Sequence, residues 1–265
     1  FHMVTHAFFK ACLFLSAGSV IHGCHHEQDM RLMGGLRGKM PITFACMAIC
    51  TFAISGIPLF AGFYSKDMIL MQGFINLMER FEGWSFFALL ALSIAACLTC
   101  FYMFRMLFLT FFGEYRGSQA HHRYSEMLAK YGRGGHIVYH DHHADEHHGE
   151  EHGQRHAHVP HESPPPIAVA ISVLALLGFF GGHFWPLAGD PLLSHSEPWF
   201  VKLVSAESAY GHEVAAFLEP HGTPEEIAHH EHVHHAAHAW AFRLSTAIVL
   251  VGLSLATWLY LVRRD

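Results

Sequence analysis

Residues 1–22 read FHMVTHAFFKACLFLSAGSVIH, a stretch that is almost wholly apolar from residue 7 to residue 21 apart from Lys10. A membrane-spanning helix needs about 20 mostly apolar residues, so this stretch predicts a transmembrane helix. A charge at the centre of a membrane costs roughly 2.5–3.5 kcal/mol on insertion scales, and such residues usually serve ion or proton transfer. Ile21 lies roughly 16 Å from Lys10 along a helix, too far for the lysine side chain to reach the interface.

Two histidines precede Lys10 at steps of four residues, at His2 and His6. Four residues advance a helix by about 400°, so the three side chains fall close to one stripe. The sequence therefore predicts a ladder of two imidazoles and one amine along one helix, which is a candidate path for protons. Either histidine could instead cap the helix or form a hydrogen bond within a helical bundle.

The composition of the whole chain is typical of a membrane protein. Of its 265 residues, 52% are hydrophobic and 14% are Asp, Glu, Lys or Arg, against about 25% charged residues in soluble domains. The net charge of −6 is therefore no indication of a nucleic-acid partner, and we expect the lipid bilayer as surroundings. The six cysteines lie mostly in apolar segments and do not indicate a secreted disulfide framework. Because the chain opens on Phe inside an apolar segment, we interpret it as a fragment of a longer protein.

Five apolar segments are long enough to be transmembrane helices, which predicts an all-α membrane protein. They are residues 1–21, 41–64, 83–112, 166–186 and 240–262. Inside the second segment, Pro58 removes a backbone donor and clashes with the carbonyl of Ile54. Gly56 and Gly62 loosen the same region. We therefore predict that the second helix is broken, as helices are where freed backbone lines a wet or protein-filled cavity.

Lys66 and Asp67 follow this break, and two interpretations of them are open. They could mark the aqueous end of the helix, or they could lie within the bundle. In the second case, desolvation would favour release of the lysine proton near neutral pH, whereas the neighbouring carboxylate would oppose it. Movement of Asp67 could then act as a switch.

Basic residues are concentrated in alternate loops, which predicts the topology. The positive-inside rule places residues 24–40, 113–165 and the C-terminus in the cytoplasm, and residues 65–82 and 188–239 outside. Imidazole suits zinc, nickel and copper, but the His-rich stretch 136–161 lacks the defined ligand spacing of a structural metal site. We interpret it as a disordered insertion, and we assign no role to the second His-rich stretch, 219–238.

Four motifs together resemble one family of membrane subunits. They are HAFFKA (6–11), HHEQDMR (25–31), SGIPLFAGFYSKD (55–67) and FYMFRMLFLTFFGE (101–114). They resemble subunit L, or chain 5, of proton-pumping NADH–quinone oxidoreductase, the respiratory complex I. The likeness is dense over the antiporter-like helices 1–3 (1–116) and looser over two further helices with an acidic, His-rich external loop (166–265), while the His-rich cytoplasmic loop between them (117–165) departs from the family pattern.

The resemblance implies an antiporter-like helical bundle in a bacterial inner membrane, working with other membrane subunits of the same complex. It implies that the lysine of the HAFFK motif, Lys10, belongs to a line of buried polar groups with His2 and His6 as neighbours. The lysine of the SKD motif, Lys66, with Asp67 beside it, would serve the outer proton exit. FMN, iron–sulfur clusters and quinone are expected in other subunits, because this sequence contains no dinucleotide fingerprint and no iron–sulfur pattern. We therefore expect no cofactor and no metal site in this chain.

Two other functions stay open at this point. The same fold is expected in multisubunit sodium/proton antiporters and in membrane-bound hydrogenases, which share the HAFFK region. A metal-ion transporter with a His-rich loop is a remote alternative. It would need carboxylate and histidine ligands inside the spans, where the charges are instead mostly lysine.

Overall fold

The structure, a computed structural model, describes residues 2–24, 26–80, 83–117, 160–181 and 224–263. Over these residues it is helical, which confirms the predicted all-α class. The six α-helices are α1 (His2–Gly23), α2 (Pro41–Ser55), α3 (Ala61–Arg80), α4 (Gly83–Phe111), α5 (Pro165–Phe180) and α6 (Pro224–Thr257). A short 3₁₀ turn, Leu36–Gly38, precedes α2, and α6 continues as a π-helical turn, Trp258–Val262.

Four of the five predicted apolar segments coincide with one helix each over their described residues, whereas the second, 41–64, is divided between α2 and α3. Within the described ranges, three helical stretches are long and apolar enough to cross a membrane: His2–Gly23, Gly83–Phe111 and His232–Val262. The helices α2 and α5 are shorter and also apolar. Large apolar side chains such as Phe14, Phe87 and Leu250 are exposed on the outside of the bundle. An apolar exterior is what lipid tails require of a membrane bundle.

The second apolar segment is broken where the sequence predicts. Helix α2 ends at Ser55, and α3 begins only at Ala61. Gly56 caps α2 with a φ of 82°, a left-handed conformation that favours glycine. The N–H of Ile57 donates to the carbonyl of Phe52 at 3.1 Å and closes the end of the helix. The break is therefore built by residues 56–60.

The prediction that the segment 65–82 is a loop is wrong over residues 65–80, which are helical. Helix α3 continues to Arg80, and it packs against α4 and α6. Polar residues such as Gln72 lower the mean hydropathy of this segment, but Leu70 and Ile75 are buried. The helical spacing of the apolar residues indicates an amphipathic helix here, which the average hydropathy of the segment does not show.

The core lies mainly where α1 packs against α2 and α5, and where α2 packs against α4. Phe9 and Cys12 of α1, Cys50 of α2 and Phe111 of α4 are fully buried in it. Helix α6 covers α3 and α4, with a smaller apolar cluster between them. Helix α3 therefore packs against α6 on one side and against α1, α2 and α4 on others, while part of its surface, including Met68 and Ile69, is exposed.

The segment before α5 is fastened to the ends of α1 and α2. The Glu162 carboxylate accepts hydrogen bonds from the N–H groups of Ile42 at 2.9 Å and Thr43 at 3.3 Å. It thereby caps α2, whose N-cap residue makes no side-chain hydrogen bond. The hydroxyl of Ser163 lies 2.6 Å from that of Ser19 on α1. Most of the predicted His-rich loop, including the expected disordered insertion up to residue 159, lies outside the described residues.

We expect Glu162→Ala to destabilise the protein. A side chain that caps a helix contributes typically about 1 kcal/mol, and a carboxylate at the positive end of the helix dipole adds to this. Thermal unfolding of the detergent-purified protein measures the effect. Glu114→Ala, at an exposed position on the same side of the bundle, is the control. Equal midpoints for the two variants would contradict the capping role.

Candidate functional site

Three consecutive residues in the first two turns of α3 make polar contacts with three different parts of the bundle. They are Ser65, Lys66 and Asp67. Successive residues of an α-helix point about 100° apart, so three in a row can reach three neighbours only where the helix is surrounded. Ser65 is 1% exposed and Asp67 is 5% exposed. This decides between the two interpretations of Lys66 and Asp67, because the pair lies within the bundle.

Ser65 faces α1 and joins the predicted histidine ladder to α3. Its hydroxyl lies 2.9 Å from Nδ1 of His2 and accepts a hydrogen bond from the Thr5 hydroxyl at 3.1 Å. The rings of His2 and His6 follow one another along α1 with their centres 5.7 Å apart. The ladder thus leads along one helix and then crosses to a second helix through a buried hydroxyl.

Lys66 faces the break between α2 and α3. Its Nζ donates a hydrogen bond to the main-chain carbonyl of Ile54. In an unbroken helix that carbonyl would accept from the N–H of residue 58, but residue 58 is a proline and has none. A Cβ added at Gly56 would lie 3.3 Å from Cδ of Lys66, so the glycine leaves room for the lysine stem. The sequence of the break therefore creates both the acceptor and the space for Lys66.

Asp67 faces α6, where both of its oxygens have partners. The Ser245 hydroxyl donates to Oδ1 at 3.3 Å, and Nε2 of His238 lies 3.4 Å from Oδ2. The side chain of His238 is 43% exposed, whereas that of Asp67 is 7% exposed. The contact therefore joins a buried carboxyl group to a partly exposed imidazole.

Lys10 lies one turn beyond His6 on α1, as the spacing predicts. Its Nζ lies 5.8 Å from the centre of the Phe14 ring. Within the part of the chain that the structure describes, Lys10 makes no hydrogen bond and no ion pair. The structure does not bring Lys10 into contact with Lys66. Among the described residues, His2, His6 and Ser65 lie between the two lysines.

A cavity of about 200 Å³ lies beside these groups. His2, Ser55, Lys66, Thr99 and Ser245 are its polar lining residues. A water molecule needs only about 10–15 Å³ of such space together with polar partners, so the cavity is large enough for several waters. Water there would connect the end of the histidine ladder with Lys66 and with the partner of Asp67.

Sequence reasoning missed part of this arrangement. Thr5 lies in the quoted stretch 1–22, just before the HAFFKA motif, and Ser65 lies inside the SGIPLFAGFYSKD motif, but the predictions there rested on the titratable residues alone. His238 lies in the His-rich stretch to which no role was assigned, and Ser245 carries no sequence signal at all. Both become visible only through their contact with Asp67, from which Ser245 is separated by 178 residues of chain.

The broken helix, the half-buried lysine at the break and the imidazole ladder together define a helical membrane bundle with a line of polar groups inside it. Residues 1–99 belong to the NADH:quinone oxidoreductase/Mrp antiporter transmembrane family, whose model they match. This confirms the resemblance on which the sequence interpretation was based.

Curated relatives extend the likeness beyond residue 99. The chain is 40% identical over 196 residues to NADH-quinone oxidoreductase subunit L of Rhodobacter capsulatus, covering 70% of this chain and 22% of that protein. It is 37% identical over 275 aligned positions to NAD(P)H-quinone oxidoreductase chain 5 of Picosynechococcus sp., covering 100% of this chain and 34% of that protein. It is 53% identical over 116 residues to NADH-ubiquinone oxidoreductase chain 5 of Dictyostelium discoideum, covering 44% of this chain and 17% of that protein.

The chain spans about a third or less of the length of these relatives. Its apolar helices and the family match identify a multi-pass membrane protein, and the bacterial relatives support the predicted location in a bacterial inner membrane.

Proposed function

We propose that this chain is part of a proton-translocating membrane subunit of an NADH–quinone oxidoreductase. The observation that carries the proposal is the line of polar groups through the bundle. Beginning at Lys10, the line passes the two histidines of α1, crosses to α3 through Ser65, and continues through Lys66 and Asp67 to α6. The names of the relatives supply the reaction to which this transport would be coupled.

The coupling we propose is electrostatic. The Lys66 ammonium gains the Ile54 carbonyl as a partner, but it is taken out of bulk water by its position in the bundle. A unit charge appearing about 10 Å away, at an effective dielectric constant of about 20, changes the free energy of protonation by about 1.7 kcal/mol. That is more than a tenfold change in proton affinity. Charge changes in a neighbouring subunit would thus load and unload Lys10 as the mid-membrane relay and Lys66 nearer the outer exit.

The remaining parts of the enzyme are assigned to other chains in this proposal. NADH would be oxidised and quinone reduced in other subunits. Those subunits would hold the FMN, the iron–sulfur clusters and the quinone. This chain would contribute proton transport alone, in contact with further membrane subunits and with lipid.

A second candidate function is sodium/proton antiport within a multisubunit antiporter. The description of the matching family also names the Mrp antiporter, which favours keeping this alternative. The reported relatives named as quinone oxidoreductase subunits favour the first function. The two functions differ in the ion that moves, so the same experiment separates them.

We expect Lys10→Ala to reduce the number of protons transported per NADH oxidised. The variant removes the only titratable amine of the α1 ladder, while the sites of NADH oxidation stay untouched. Inverted membrane vesicles carrying the protein measure both quantities together, with a pH-sensitive dye and by NADH absorbance. Lys10→Arg, which keeps the charge but releases its proton far less readily, should fail as well. An unchanged proton-to-NADH ratio in Lys10→Ala would contradict the proposal, and transport that requires sodium ions would favour the antiporter.

A further inference from the structure

The contact between Asp67 on α3 and His238 on α6 has no place in the path that the sequence predicts. It joins a carboxyl group that is 5% exposed to an imidazole whose side chain is 43% exposed. His238 lies in the stretch His232–Val262 that is apolar enough to cross a membrane, less than two helical turns from its beginning. The pair therefore leads from the interior of the bundle toward the end of α6 for which the positive-inside rule predicts an outer location.

The geometry leaves Asp67 few routes for a proton. Oδ1 is occupied by the Ser245 hydroxyl, which is itself buried, and Oδ2 lies 3.4 Å from Nε2 of His238. Of these two partners, only the imidazole can take up a proton and release it from its other ring nitrogen. The separation of 3.4 Å is slightly longer than a hydrogen bond, so a small movement of α6 against α3 makes or breaks the contact.

Other charged or titratable groups lie on the elements that carry this pair or pack against them. Lys66 adjoins Asp67 on α3, and Cys100 of α4 packs against α6, where its thiol donates to the carbonyl of Val249 at 3.6 Å. On α6 itself, His234 and His235 lie about one turn before His238, and Arg243 lies beyond it, over the ring of Trp240. His234, His235 and Arg243 are exposed. Among the α6 histidines whose side chains the structure describes, His238 is the one shown in contact with a buried acid.

We propose that His238 carries protons between Asp67 and the outer aqueous phase, an inference that rests on the proton-transport function proposed above. Protonated Asp67 gives its proton to Nε2 of neutral His238, which leaves a carboxylate and an imidazolium. The imidazolium then releases the proton on Nδ1 to water. The imidazole returns to its first tautomer by ring rotation or proton exchange. No electrons move in this sequence, and no other reactant is needed. A proton from the cavity that Lys66 and Ser245 line then reloads the Asp67 carboxylate.

The test compares His238→Gln with His235→Gln in the full protein in its own membranes. Glutamine keeps a hydrogen-bond donor beside Asp67 but cannot carry a proton at physiological pH, so a merely structural His238 would tolerate it. We expect His238→Gln to lose most proton transport while NADH oxidation continues, and to lose the dependence of transport on the outer pH between about 5 and 8. His235 is an exposed histidine three residues before His238 on the same helix. His235→Gln should therefore keep both proton transport and its pH dependence.

A second measurement does not depend on transport. Infrared difference spectroscopy of the purified complex detects the carbonyl stretch of a protonated carboxyl group, and Asp67→Asn assigns the band to Asp67. We expect His238→Gln, but not His235→Gln, to shift this band and to remove its pH dependence.

The outcomes separate the two proposals. If Lys66→Ala stops transport but His238→Gln leaves transport and its pH profile unchanged, the role of His238 is overturned and the proposed function stands. If the unaltered protein moves no protons, the proposed function fails. In that case the infrared measurement still tests the contact between Asp67 and His238. An Asp67 carbonyl band that does not shift in His238→Gln would overturn the inference by itself.

Discussion

Lys66→Ala is expected to abolish nearly all proton transport by the complex while NADH oxidation survives. Lys66 is the amine at the point where α1, the helix break and α4 border one cavity. Alanine there removes the protonatable group and leaves the Ile54 carbonyl without its donor. Without the Lys66 amine, a proton would have to cross a gap of several ångströms with no protonatable side chain. We therefore expect a larger loss of proton transport than for Lys10→Ala.

The measurement is the ratio of protons transported to NADH oxidised in inverted vesicles, determined over a range of pH. Lys39→Ala is the matched control, since Lys39 is an exposed lysine just before α2. Lys66→Met separates two explanations. It retains much of the length and packing of the side chain without its charge, so it should restore stability but not transport. Recovery of transport in Lys66→Met would show that Lys66 acts by packing, contrary to the proposal.

The broken helix was predictable from the sequence because its causes are local. Pro58 cannot donate to the carbonyl of Ile54, and Gly56 supplies the left-handed conformation that ends α2. The structure adds a consequence that the local argument did not reach. Lys66 donates to the carbonyl of Ile54, which is the carbonyl that Pro58 leaves without a main-chain donor. The single residue Pro58 thus creates both the break in the helix and the acceptor for Lys66.

The course of α3 was not predictable from mean hydropathy. Residues 65–80 combine buried apolar side chains with polar ones, some of which face the interior of the bundle. An average over such a segment resembles that of a loop. The buried position of Asp67 is a tertiary effect, since it depends on α6, which begins far along the chain at Pro224. The sequence could therefore name Lys66 and Asp67 as candidates, but it could not name the partners that bury them.

The second large effect is expected at Gly62, in the first turn of α3. A Cβ at this position would collide with the main-chain carbonyl of Ala53 and would lie 3.4 Å from the Phe9 ring. Neither neighbour can move easily, because Ala53 belongs to the last turns of α2 and Phe9 is fully buried. We therefore expect Gly62→Ala to destabilise the protein by about 1–3 kcal/mol, the usual cost of overpacking a core.

Gly18→Ala on α1 is the matched control because it introduces the same methyl group. A Cβ added at Gly18 meets no atom of the described residues within 4 Å. Alanine in a helix interior is favoured over glycine by roughly 0.5–1 kcal/mol, so this variant should be neutral or slightly more stable. Thermal unfolding of the detergent-purified protein should thus move in opposite directions for the two substitutions. A Gly62→Ala variant as stable as Gly18→Ala would contradict the close packing of α3 on α2.

Gly62→Ala should also impair transport, because Gly62 lies one turn before Lys66 on the same face of α3. Moving that face away from α2 draws the Lys66 amine away from the Ile54 carbonyl, which stays in place at the end of α2. The vesicle assay should therefore show a reduced proton-to-NADH ratio even at temperatures where the variant is fully folded. Gly18→Ala should leave the ratio unchanged. A folded Gly62→Ala protein with a normal proton-to-NADH ratio would mean that Lys66 functions without its hydrogen bond to the Ile54 carbonyl at the helix break.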